Sequence, residues 1–446
     1  MLKLSKKNIL EGSIPEQLLL FFFPVLLEYI FSQLYNTIDA MIVGTFVGKE
    51  ALAAVGGTTG TSISLLVNFI WGLTSGVSVI TAQYYGRHDF EGVHNAVKTG
   101  MFLGLTLGLS MTIIGIIFTP SLLSLLNVPS DFYNLSVTYM QIYLSGLIPF
   151  MLYNVGASIL RATGDSKRPL YFLIVSAIVN IILDYIFVRF FNWGVAGAAI
   201  ATVIAQIVGL ILMLILLKNT NDCYQFEIKN IGYNGSLLKK IILIGLPSGI
   251  QSVVYSISNL FIQARVNIFG TNTTAAYTAF GKIDGFYWNY DAAFGVACMT
   301  VAGQNYGAGK IDRVKMTVKI GLLLEIIGSI LIGGLCYMFA TPLIGLFTKD
   351  AVVITIGIEM LKLLSFTWVT FNPIQIISSV CKSCGDTIAP MIISATFICG
   401  VRLIYLLFVP YNTVLEALYC YPISWIITSI TFIIYYKTDK WMKKVV

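Results

Sequence analysis

Charge is what this chain has least of. Asp, Glu, Lys and Arg make up 11% of its 446 residues, where a soluble domain carries about 25%. With 57% of residues hydrophobic, a water-soluble fold is excluded on composition. Histidine is nearly missing: His88 and His94 share one loop and have no further ligands near them, so a metal centre is not expected there. The seven cysteines include a single CxxC, Cys381 to Cys384, which is too little for a metal or redox motif. There is no nucleophile–base pair, metal cluster or phosphate-binding loop, and an integral membrane enzyme therefore ranks far down. Nothing reads as a soluble domain or a low-complexity linker; the longest polar stretch is Lys218 to Lys240. A cleavable signal peptide is not expected, because Met1 to Ser13 is short, polar and lysine-bearing and the first apolar run is too long.

What the chain does have is apolar runs of about 20 residues, the length of a bilayer-crossing helix. They predict twelve spans: 17–43, 53–82, 93–118, 133–156, 169–190, 195–217, 240–267, 276–303, 315–340, 352–379, 389–409 and 413–436. Pro24 and Pro247 fall near the starts of the first and seventh, where proline is tolerated or kinks the helix.

The text is also written twice. Gln83-Tyr-Tyr-Gly86 returns as Gln304-Asn-Tyr-Gly307, and Val97-Lys-Thr-Gly100 as Val318-Lys-Ile-Gly321. Arg161-Ala-Thr-Gly164-Asp165-Ser166 returns as Lys382-Ser-Cys-Gly385-Asp386-Thr387, with Pro169 and Pro390 following. All sit at one offset of 221 positions. The expected architecture is all-α and membrane-integral. Two six-helix bundles form a parallel internal repeat, with lobes at 1–218 and 240–446 and a cytoplasmic linker at 219–239. Such repeats usually place a substrate path between the bundles.

Orientation follows from the basic residues. With the N-terminus inside, all of the 28 Lys and Arg lie on inner segments except Lys49, Arg189, Arg265, Lys282, Lys349, Lys362 and Arg402. Both termini are thus expected in the cytoplasm of a multi-pass cell-membrane protein. The net charge of +7 then reflects orientation, and its scatter over short loops argues against nucleic acid.

Ionisable groups inside spans are costly, about 2.5–3.5 kcal/mol each at the bilayer centre. The first span carries Asp39 and, deeper, Glu28; the fifth carries Asp184 with Asn180 one turn away; the sixth carries Thr202. Counting residues from the outer ends at 1.5 Å each puts Asp39, Asp184 and Thr202 roughly 8–10 Å below the outer surface. Two carboxylates, an amide oxygen and a hydroxyl at one level suit a hard cation such as Na⁺, or a proton held by two neighbouring carboxyls. The second half carries Val401, Tyr405 and Ile423 where the first has Asn180, Asp184 and Thr202, and Ile262 opposite Asp39. The scaffold repeats and the acids do not, which favours function over a purely structural network.

At these residues the chain resembles the multidrug and toxic compound extrusion (MATE) transporters. The matching text is Leu34-Tyr-Asn-Thr-Ile-Asp39-Ala-Met-Ile-Val-Gly44, Ala51-Leu-Ala-Ala-Val-Gly56, Gln83-Tyr-Tyr-Gly86, Arg161-Ala-Thr-Gly-Asp165, Asn180-Ile-Ile-Leu-Asp184 and Gly194-Val-Ala-Gly-Ala-Ala-Ile-Ala-Thr202, with Gly245-Leu-Pro247 and Gln304-Asn-Tyr-Gly307. The resemblance implies alternating-access antiport of amphipathic, often cationic compounds against Na⁺ or H⁺. It implies a coupling site of Asp39, Asn180, Asp184 and Thr202. A cleft between two halves needs no partner, so a monomer is expected, with no cofactor beyond the coupling ion. One branch of the family also uses acids in the seventh and tenth spans. Here those positions hold Gln251 and an acid-free stretch from Leu363 to Ser378. A related branch flips lipid-linked saccharides and is the alternative; a cationic cavity would favour it, and this chain offers acids.

Glu28, Asn36, Gln251, Tyr255 and Asp291 are candidates for the substrate cavity. Asp284 reads as part of an outer mouth with an aromatic belt. Glu359 and Lys362 are expected to pair locally, Arg402 to pair with an acid or snorkel outward, and Glu325 has no evident partner.

Overall fold

A backbone in lipid must satisfy its own hydrogen bonds, and helices do so within a single segment. The computed structural model describes residues 9–442, and among them every regular element is helical. Lys3, Lys6, Lys7, Lys443 and Lys444, used above for orientation, lie outside the described residues.

The first half holds α1 (Ile14–Phe46), α2 (Lys49–Gly56), α3 (Thr58–Gly86), α4 (Phe90–Leu125), α5 (Ser130–Ser145), α6 (Leu147–Ala162), α7 (Lys167–Asp184) and α8 (Gly194–Asn219). The second holds α9 (Gly235–Asn267), α10 (Thr271–Gly307), α11 (Ile311–Met338), α12 (Ala340–Gly345), α13 (Ala351–Thr367), α14 (Asn372–Ser383), α15 (Ile388–Ile393), α16 (Val401–Phe408), α17 (Val414–Leu418) and α18 (Cys420–Lys437).

Ten of the resulting segments are long and apolar enough to cross a membrane, eleven if α5 and α6 count as one span bent by 46°. Gly146 sits at that bend, and a Cβ there would fall on Gln206 Oε1 of α8. The expected span 276–303 is present as the 37-residue α10 but falls outside the apolar set. Lys282, Asp284, Asn289 and Asp291 dilute it.

The repeat holds at the level of the backbone. Both α3 and α10 end on the repeated glycine. Asp89 N bonds Tyr84 O and Lys310 N bonds Asn305 O, at 3.0 and 2.8 Å. His88 and its counterpart Gly309 both take positive φ, 61° and 72°. At the next joint Gly164 and Gly385 have φ of 105° and 87°, a left-handed turn that suits glycine. Asp165 N then bonds Leu160 O at 2.8 Å, and Asp386 N bonds Cys381 O at 3.0 Å.

Packing gathers the helices into two units. One runs from Leu27 to Gly249; the other holds the chain up to Leu26 and from Ile250 onward. The division cuts α1 and α9 close to Pro24 and Pro247. The start of α1 belongs with the second group: the Phe22 ring lies 4.1 Å from that of Phe294 and 5.5 Å from that of Tyr290. Just before it, Arg313 donates to the carbonyls of Ile9 and Gly12 at 2.9 and 2.7 Å. The start of α9 belongs with the first group through a seam of small residues. Gly72 and Gly76 of α3 face Gly249 and Gly245 of α9 so closely that a Cβ at Gly76 would fall on Ile241 O. Close backbone approach over such small-xxx-small pairs is a standard membrane packing mode.

The polar segment between the halves is folded. Tyr224 and Phe226 are buried, Phe226 N bonds Leu217 O at 3.0 Å, and Tyr224 Oη donates to Asp222 Oδ2 at 2.7 Å. Burial, with Asp222 beside it, pushes the Tyr224 hydroxyl up to about 12. Helix α9 starts at Gly235, earlier than the apolar run, because Asn234 Oδ1 accepts from Ser236 N and Leu237 N and caps it.

Candidate cation site and adjoining pocket

Three helices bring the expected coupling residues together inside the first unit. Asp39 comes from α1, Asn180 and Asp184 from adjacent turns of α7, and Thr202 from α8. Asp184 is the last α-helical residue of its segment, and the wider π-type turn Tyr185–Phe190 follows it directly. Such turns recur at functional sites.

All four side chains are buried, Asp184 and Asn180 almost completely at 0% and 1% exposure. Asn180 Nδ2 donates to Thr202 Oγ1 at 3.4 Å. Asp39 and Asp184 face one another within interaction reach. That contact falls short of a formed hydrogen bond, since both Asp184 oxygens, with Asp39 Oδ1 and Asn180 Oδ1, are buried without a hydrogen-bond donor among the described residues. Tyr35, Tyr139 and Tyr143 stand close around the acids. A buried acceptor left unpaired costs about 1–3 kcal/mol, more when charged. A cation among these oxygens would relieve several such costs at once.

Asn180 and Thr202 also line a narrow pocket in the same unit. Tyr35, Phe150 and Tyr153 supply aromatic walls, and Ser176 and Gln206 supply polar groups. Ser176 Oγ and Gln206 Oε1 are buried without a partner among the described residues.

The candidates for a substrate cavity divide. Glu28 is tied to Arg161, whose Nη1 reaches its two oxygens at 3.0 and 3.1 Å. Asn36 is exposed. Gln251 Nε2 and Tyr255 Oη both bond Ser394 Oγ, at 2.7 and 2.8 Å. Asp291 lies against Glu325, a pairing that the sequence reading leaves Glu325 without. The two belong to separate helices and have no repeat counterparts, so only packing reveals it.

Other expectations need correction. Glu359 and Lys362 form no ion pair among the described residues; the Lys362 ammonium lies over the Tyr337 ring at 5.2 Å. Arg402 neither pairs with an acid nor snorkels. It is buried, donates to Ser258, Asn259 and Ser424, and stacks over Tyr421 at 4.5 Å. The aromatic setting expected for Asp284 needs no correction: it accepts from the indoles of Trp288 and Trp368 at 2.7 and 3.0 Å. It is thus held by two tryptophans.

A helical membrane protein with a doubled lobe, and buried acids inside its spans, belongs to the class of secondary transporters. The MatE family model matches residues 24–186 and 247–406, and the chain belongs to that family. It is 30% identical over 437 residues to the probable multidrug resistance protein YoeA of Bacillus subtilis, covering 95% of this chain and 94% of that one. It is 24% identical over 410 residues to the probable multidrug resistance protein NorM of Thermotoga maritima, covering 90% and 87%. A crystal structure of MATE in the bent conformation superposes with a TM-score of 0.89 at 23% identity, covering 97% of both chains. The chain is a multi-pass membrane transporter for small organic molecules, not an enzyme, and its relatives do not favour the saccharide-flippase alternative.

Proposed function

We propose that the chain is an antiporter that expels amphipathic, cationic organic compounds in exchange for Na⁺ or H⁺. Asp39, Asn180, Asp184 and Thr202 hold the coupling ion, and the adjoining pocket takes the organic cation. The observation that carries this reading is the set of four buried, donorless oxygens beside a pocket that shares Asn180 and Thr202. An ion seated at those two residues repositions the pocket wall, so ion and substrate compete through shared side chains. Exchange requires that the ion bind the two access states unequally, because equal affinity shifts nothing. The names of the relatives, multidrug resistance proteins, support the substrate class.

The same reading places six helices in each lobe, 1–218 and 240–446, with the 219–239 linker and both termini in the cytoplasm of a cell-membrane monomer. It includes no nucleic acid and no cofactor beyond the coupling ion. The test is efflux of a fluorescent organic cation from proteoliposomes with a Na⁺ or a pH gradient imposed separately. Efflux under one gradient names the ion; no efflux under either sinks the exchange and turns attention to another solute class.

A further inference from the structure

The second unit contains a pair of acids that the proposed coupling site does not use. Asp291 of α10 and Glu325 of α11 are 3% and 0% exposed, and their carboxyl groups lie against each other. Among the described residues Asp291 Oδ1 and both Glu325 oxygens have no hydrogen-bond donor, and neither residue forms an ion pair. Glu325 is a fully enclosed carboxyl with both oxygens unpartnered among the described residues, and Asp291 adds a third such oxygen beside it.

The surroundings decide what can complete the pair. Tyr290 Oη donates to Glu325 O at 2.9 Å, and Gln375 Nε2 donates to Asp291 O at 3.1 Å. The main-chain carbonyls are thereby occupied. Tyr287, Ser329 and Asn372 bond one another at 2.9–3.2 Å, so their oxygens are engaged as well. Space is closed too: Gly328 abuts Tyr290 Oη, and a Cβ at Gly321 would come within 2.7 Å of Cys298 Sγ. The titratable groups facing the pair are Tyr287, Tyr290 and Cys298, all on α10. Helix α14 offers Asn372 and Gln375, and α1 offers Phe22.

Two ionised carboxylates in contact, without a basic partner and out of water, repel each other and are poorly solvated. Na⁺ would need several free oxygens, and here the neighbouring oxygens are already bonded. We propose that Asp291 and Glu325 form a second cation site, specific for a proton, which the two carboxyls share and exchange with the aqueous phase. On taking up one proton from solvent, the doubly ionised pair becomes a carboxyl donating to a carboxylate. This site is separate from Asp39 and Asp184 and stands whether or not that pair couples transport.

The test is infrared spectroscopy of the reconstituted full chain near neutral pH, in H₂O and D₂O, with and without Na⁺. The expected result is a protonated-carboxyl C=O band that shifts in D₂O and is unmoved by Na⁺. It should survive in the Asp39→Asn/Asp184→Asn protein and be lost or displaced in Glu325→Gln and in Asp291→Asn. If neither single variant folds, the Asp39→Asn/Asp184→Asn/Asp284→Asn protein, which removes the other enclosed aspartates, decides by showing the band. Absence of the band there, failure to shift in D₂O, or its loss on adding Na⁺ would overturn the proposal.

Discussion

At the scale of single residues, the decisive fact is that Asp184 has two buried oxygens and, among the described residues, no donor for either. Replacing one carboxylate by an amide keeps the shape and removes the charge that a cation needs. Asp39→Asn and Asp184→Asn are expected to insert and fold as wild type, judged by gel-filtration profile, yet to lose gradient-driven export. Asn180→Ala removes one neutral ligand; at about 1.5–3 kcal/mol for a hydrogen bond to a charged group, half-maximal cation concentration should rise by about 10- to 150-fold. Cation titration of the substrate-bound protein checks this. The Glu28–Arg161 pair obeys a different rule. Removing one partner strands the other, at about 3–5 kcal/mol, so Arg161→Ala should destabilise more than the double variant Glu28→Leu/Arg161→Met. Thermal unfolding in detergent distinguishes them.

At the scale of elements, the close approach of α3 and α9 rests on Gly72, Gly76, Gly245 and Gly249. A Gly76→Leu variant meets backbone, which cannot swing aside as a flexible side chain does. A loss of more than about 1–3 kcal/mol, the ordinary overpacking cost, is expected in the same unfolding measurement. Gly56→Ala, with open space at its Cβ position, serves as the tolerated control. Much of this level was legible beforehand. The repeated Gln-x-Tyr-Gly and Gly-Asp texts end and start helices at the same register in both halves, because the turn between them needs the same positive-φ residue and the same main-chain bond. Asp39, Asn180, Asp184 and Thr202 were legible as well, since apolar surroundings make a lone polar residue conspicuous. Three features were not. The start of α9 hides in a polar stretch because a capping Asn looks like loop. The Asp291–Glu325 contact joins residues on separate helices with no periodic relation. The close fit of Gly146 against Gln206 joins residues of different helices.

At the scale of the whole molecule, the doubled text and the undoubled acids together define the protein. The scaffold residues recur at one offset, whereas the first unit carries Asp39 and Asp184 and the second carries Asp291 and Glu325, none at matching positions. The two bundles thus share a scaffold and differ in their charged interiors. Orientation is testable at this scale: in a Cys223→Ser background, a cysteine at position 309 should react with an impermeant thiol reagent only after the cells are opened. One at position 127 should react in intact cells, as the distribution of lysine and arginine requires.

The central claim, that the buried acids of the first unit bind the ion that drives export, is tested most directly by one comparison. Fluorescent organic-cation efflux is measured in proteoliposomes holding wild type, Asp39→Asn or Asp184→Asn, first under the productive ion gradient and then with no gradient. The account predicts gradient-driven efflux for wild type alone, with substrate binding retained in both variants. Full gradient-driven efflux in both variants would contradict it.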